Sequence, residues 1–185
     1  MTLVFTSVAA WDEWLLANAS SAGEAWLRIA KKGASGPGLS AAEAGDVALC
    51  HGWIDSHRRA LDDRYFLQRY SPRRPGSPWS RVNVERVSAL AAAGRLRPGG
   101  LASVAAAQSD GRWAAAYEAQ RTAETPPDLV EALAANAPAR AAYSALTRSA
   151  QYALFLPLLK ARTPAARSRA LTRAVAHLTP GRNDP

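Results

Sequence analysis

The sequence predicts an α+β fold: a small antiparallel sheet surrounded by helices, followed by a helical C-terminal segment. Three observations predict it. Apolar residues recur at spacings of three and four over most of the chain, and the period falls to two around Trp26, Trp53 and Tyr65. From Asp128 onward only helical patterns remain. An apolar content of 48% over 185 residues is enough for a continuous core.

The elements follow in order. Ser7 caps a short amphipathic helix from Val8 to Asn18, in which Val8, Trp11, Leu15 and Asn18 share one face. Ser20-Ser21-Ala22-Gly23 ends it, and Glu24 to Ala30 then sets Trp26 and Arg28 against Leu27 and Ile29, as a strand does. Beyond Lys31-Lys32 and the turn Gly36-Pro37-Gly38, Ser40 and Glu43 form a capping box. The helix they open stops at His51-Gly52, where glycine takes the left-handed conformation. Trp53 to His57 and Tyr65 to Tyr70 read as two strands, with Asp62-Asp63 at the turn between them.

Pro72, Pro75 and Pro78 exclude helix and central strand from the next stretch. Ser77 is the expected cap of the following helix, with Pro78 in its first turn, Val84, Val87 and Ala91 on one face, and Gly94 as its stop. Pro98-Gly99-Gly100 opens an alanine-rich helix that Asp110-Gly111 ends. Thr125-Pro126-Pro127-Asp128 reads as a linker. It divides a body of residues 1–124 from a helical segment of residues 125–185 expected to pack on that body. Asp128 to Ala135, Pro138 to Ala161 and Pro164 to Leu178 are the helices there; Pro157 is expected to kink or divide the second, and Thr179 to Pro185 to fray.

Composition limits function more than fold. The single Cys50 excludes an internal disulfide and, in the run Val47-Ala48-Leu49-Cys50, reads as a small buried hydrophobe. His51 and His177 lack partners at metal-ligand spacing, so neither metal nor cofactor is expected. The first residues carry no basic leader, Asp12 and Glu13 interrupt the apolar run, and Tyr152 to Leu159 is too short to span a bilayer; the expectation is a cytoplasmic protein with no membrane span. A net charge of +8 suggests an anionic partner. Only Lys31, Lys32 and Lys160 are lysine, and ten of the 20 arginines lie between Arg58 and Arg97.

Several words, in this order, resemble a known family. They are WLRIAKK at Trp26 to Lys32, LSAAEAGDVALCHGWIDS at Leu39 to Ser56, LQRYSPRRPGSPWSRVN at Leu67 to Asn83, AAGRLRPGGL at Ala92 to Leu101 and DGRWAAAY at Asp110 to Tyr117. The chain resembles the bacterial YdeI or OmpD-associated family, also called bacteriocin-protection proteins, and residues 128–178 are similar to its OmdA-type domain. The resemblance implies protection from antibacterial peptides or association with a membrane protein, and it carries no catalytic residues across.

The candidate site lies between Trp53 and Asn83, in the WIDS and PRRPxSPWSxxN motifs. Arg69, Arg73 and Arg74 are expected to supply charge, Ser80 and Asn83 hydrogen bonds from a helix start, and Trp53 and Trp79 an apolar wall. Asp55 and His57, two apart on a strand, would share its face. The reading is a noncatalytic binding or protection protein that holds an anionic small molecule or a protein or peptide segment. One alternative is nucleic-acid binding, with Tyr65, Phe66 and Tyr70 among the arginines; another is an enzyme using Asp55 and His57 as acid and base.

Overall fold

The alternating segments form the centre of a five-stranded sheet. In the computed structural model, which describes residues 2–179, the chain falls into two units, Met1–Ala116 and Tyr117–Pro185. The first runs β1 (Thr2–Leu3), α1 (Val8–Asn18), β2 (Ala25–Ala30), β3 (Leu39–Ser40), α2 (Ala41–Cys50), β4 (Trp53–Ala60), β5 (Tyr65–Pro72), α3 (Arg81–Ala92) and α4 (Pro98–Ser109). The second holds α5 (Pro127–Ala134), α6 (Ala137–Ala145), α7 (Arg148–Lys160) and α8 (Pro164–Leu178).

The α+β class and the helical C-terminal segment are as the sequence predicts, and the sheet has one added feature. Strands β2, β5 and β4 are antiparallel neighbours in that order, with Ala25 opposite Tyr70 and Ala30 opposite Tyr65. The two-residue strands β1 and β3 pair parallel to β2, so the sheet is mixed. Asp62 turns the β4–β5 connection by accepting from the N–H groups of Arg64 and Tyr65, both at 2.8 Å. Those two bonds hold its carboxyl below the usual range.

Period two sends Ala25, Leu27 and Ile29 to one face, beside Phe66 and Tyr70. Trp11 and Leu15 of α1 and Ala44, Val47 and Ala48 of α2 cover that face. Burying Leu27 and Ile29 there contributes about 1.5–3 kcal/mol each. The indole N–H of Trp11 donates to the Ala44 carbonyl at 3.1 Å, tying the two helices together. Gln68 is also buried on this face, but its amide donates to the His57 carbonyl and accepts from Arg58 Nε, so burial leaves it satisfied.

A second apolar layer joins Leu49 and Cys50 of α2 to Trp79, Val87, Leu90 and Ala107. Glycine makes its closeness possible. A Cβ on Gly99 would stand 2.5 Å from the His51 carbonyl oxygen, and one on Gly100 would overlap that of Cys50. The helix before this layer starts three residues later than the sequence suggests. Ser80, not Ser77, caps α3, because Pro75-Gly76 forms a turn and Ser77 to Trp79 stay outside regular structure beyond it.

In the second unit, Leu129, Leu133, Tyr143, Phe155, Leu158, Ala174 and Leu178 form a core among four helices. Arg167 grips both carboxylate oxygens of Asp128, at 2.7 and 2.8 Å. Helix α7 runs unbroken through Pro157, and the division falls instead at Leu146-Thr147, where Leu146 is extended and Thr147 caps α7. Proline removes one backbone donor near the end of that helix, whereas Phe155 and Leu158 anchor it to the core on either side. Pro127 opens α5, so the linker expected there is already helical at its third residue. The expected fraying concerns, from residue 180 onward, residues outside those described. Among the described residues, no helix is long and apolar enough to cross a membrane.

Candidate functional site

The bend between β5 and α3 is built by its own sequence. Pro75 and Gly76 occupy the middle of a turn closed by a bond from Ser77 N–H to the Arg74 carbonyl at 3.1 Å. Gly76 has φ of +76°, the left-handed value that a type II turn requires at that place. The turn brings the chain back so that the Arg73 guanidinium lies 3.9 Å from the centroid of the Trp79 ring and donates to the Pro78 carbonyl at 3.1 Å. Arg73 N–H also donates to the Gly52 carbonyl at 3.0 Å, which fixes the bend to the end of α2.

Trp79 is 2% exposed, and its ring packs 4.9 Å from that of Trp113. Its indole N–H is buried and has no hydrogen-bond acceptor. One residue on, Ser80 Oγ accepts from Asn83 N–H at 3.3 Å. Asn83 is half-buried in the first turn of α3, and Arg74 is exposed on the turn. Arg112, unforeseen from sequence, holds the bend from behind. It is 5% exposed, paired to Asp110 at 2.6 Å, and donates to the Ser77 carbonyl at 3.1 Å. The word DGRW carried the signal, since an aspartate two residues before an arginine can neutralise it locally.

The other expected site residues lie elsewhere. Trp53 belongs to the sheet core, 2% exposed, with its ring edge-on to Trp11 and Trp14. Asp55 and His57 are exposed on the edge strand β4, and the register shifts between Asp55 and Arg58. That irregularity removes the simple period-two argument for a shared face. Arg69 stands opposite Trp26 on the sheet face away from the helices, where it meets Glu24 at 2.5 Å and donates to Ser56 Oγ at 3.2 Å. Its acidic partner is therefore Glu24. The bend sets Arg73 on Trp79, with Ser80 and Asn83 at the start of α3 and Arg74 exposed on the turn, and Trp53, Asp55, His57 and Arg69 lie outside it. Of the rings weighed for nucleic acid, Phe66 and Tyr70 face the core, and burial pushes the Tyr70 phenol up.

A second polar group was also unforeseen. Asp12 on α1 meets His51 Nε2 at 2.6 Å and Arg97 at 2.5 Å. Burial opposes the Asp12 charge, but hydrogen bonds from Arg97 and His51 and the positive charge of Arg97 outweigh it, and the carboxyl is held below its usual range. Beside it lies a cavity of about 470 Å³ reached by Asp12, Cys50, Arg95 and Arg97. Burial pushes the Cys50 thiol up, which keeps it an inert hydrophobe there. Among the described residues, no group of three or more His, Cys, Asp and Glu side chains is placed to hold a metal.

Comparison with known proteins adds the following. A domain of unknown function, DUF8412, matches residues 3–103, and the OmdA family, described as bacteriocin-protection, YdeI or OmpD-associated, matches residues 122–181. No curated protein and no solved structure matches the chain.

Proposed function

We propose, for a chain that belongs to the DUF8412 family and carries an OmdA domain of the bacteriocin-protection type, a noncatalytic binding role in which the bend before α3 holds an anionic group. The anion is a small molecule or a carboxylate or phosphate on a partner segment. The observation that carries this reading is the Trp79 indole N–H, buried without an acceptor on the ring over which the Arg73 guanidinium lies. A buried donor left unmade costs about 1–3 kcal/mol, so a site that retains one invites an oxygen from outside. Arg73 and Arg74 supply charge for that oxygen's group. The first turn of α3 adds the positive end of a helix dipole.

The family supports a protective function in general terms, and the bend offers the means: capture, with no bond made or broken. Titrating the full chain with inorganic phosphate tests it by calorimetry. The wild type is expected to bind one equivalent, and Arg73→Ala with Arg74→Ala to lose at least tenfold in affinity. Equal binding by a folded double variant would refute the assignment.

A further inference from the structure

We propose that the sheet face turned away from α1 and α2 is a second, independent site, and that it binds single-stranded nucleic acid. The register places its residues. Trp26, Arg28 and Ala30 of β2 stand opposite Arg69, Leu67 and Tyr65 of β5, and Arg59 of β4 stands opposite Leu67 on the other side. One row across three strands therefore reads Arg28, Leu67, Arg59. Neighbouring strands lie about 4.8 Å apart, so these two arginines start about 10 Å apart with an apolar side chain between them. Trp26, Arg28 and Leu67 are half-buried and Arg59 and Arg64 are exposed, whereas Tyr65 is buried, its hydroxyl donating to the Pro37 carbonyl at 3.2 Å.

Rings and guanidinium groups alternate on this face. Arg59 lies 4.4 Å from the Trp26 ring centroid, and Arg28 and Arg64 lie 4.2 and 5.5 Å from that of Tyr65. A guanidinium resting on a ring keeps its planar face for stacking and its N–H edge for an oxygen. Arg28 Nε, moreover, is buried without an acceptor. Four arginines, Arg28, Arg59, Arg64 and Arg69, meet two carboxylates here: Glu24, which Arg69 holds at 2.5 Å, and Asp62 in the turn beside Arg64.

An acidic peptide would use the N–H edges alone, whereas a nucleotide strand uses both features, with bases on the flat groups and phosphates on the edges. Recognition there rests on stacking and charge, which tolerate any base sequence. Nothing in this reading uses the bend before α3.

Fluorescence anisotropy of the full chain with a short labelled oligothymidylate tests it. Binding is expected to weaken steeply with salt, and Arg28→Ala with Arg59→Ala to reduce the slope of log K against log salt by about 1.4. Trp26→Ala is expected to cost about 5- to 150-fold. Arg28→Lys with Arg59→Lys, which keeps the charge if the alanine pair fails to fold, is expected to retain the slope and lose affinity. Arg73→Ala with Arg74→Ala should leave oligonucleotide binding within about twofold. Absence of binding at low salt, indifference to the Arg28, Arg59 and Trp26 variants, or equal competition by polyglutamate would each overturn the proposal.

Discussion

The Arg73 guanidinium lies over the Trp79 ring at 3.9 Å while the indole N–H of that ring goes without an acceptor. The two facts pull in opposite directions. The stacked cation stabilises the closed bend, whereas the buried donor destabilises it. A residue kept for packing alone would lack the second feature, which predicts a trade between stability and binding.

Trp79→Phe preserves most of the ring and removes the donor. Its stability is expected to equal or exceed that of the wild type, because an unmade hydrogen bond of about 1–3 kcal/mol offsets the lost packing. Phosphate affinity should fall. Urea unfolding with a phosphate titration measures both.

Asp12 gives a prediction in acid. Its carboxyl titrates below the ordinary value of 3.8 in the folded chain, so its stabilisation is present above that value and lost as pH falls through the folded one. Asp12→Asn is expected to cost about 1–3 kcal/mol at neutral pH, since it weakens the partnership of buried His51. The gap between variant and wild type should close on acidification. Urea midpoints across that range test the sign: a gap that widens in acid would contradict it.

Gly100→Ala drives a methyl group into the Cys50 carbonyl, and backbone must move to admit it. A loss of about 2–3 kcal/mol or more is expected, as for overpacked sites. Gly23→Ala, where a Cβ meets nothing within 4 Å, serves as the control and should stay close to wild type. Thermal unfolding of the two compares them directly.

Phe155→Ala empties the centre of the second unit, where the ring is fully buried. The expected cost is about 3–5 kcal/mol. Calorimetric unfolding measures it.

Local signals in the sequence carried much of this fold. Ser7, the Ser40-Glu43 box and the period-two runs are short-range statements, and each has its counterpart in α1, α2 and the β2–β5–β4 sheet. Misplaced features depended on distant groups. Ser77 looked like a cap because Pro78 follows it, but Arg112, 35 residues away, takes the Ser77 carbonyl and Ser80 caps instead. Arg69 looked like a companion of Arg73 and Arg74, yet strand alternation and Glu24 turn it to the open sheet face. The Asp12–His51–Arg97 group was invisible because its members span 85 residues and no motif links them. Within the candidate site, the arginine-tryptophan stack was legible as composition and illegible as geometry until the turn at Gly76 was known.

The Trp79 indole proton offers the most direct test of the bend. Its resonance, identified by its loss in Trp79→Phe, should move saturably as phosphate is added to the full chain and stay still in Arg73→Ala with Arg74→Ala. An indole signal that never moves in the wild type, at phosphate concentrations where calorimetry records binding, would contradict the account.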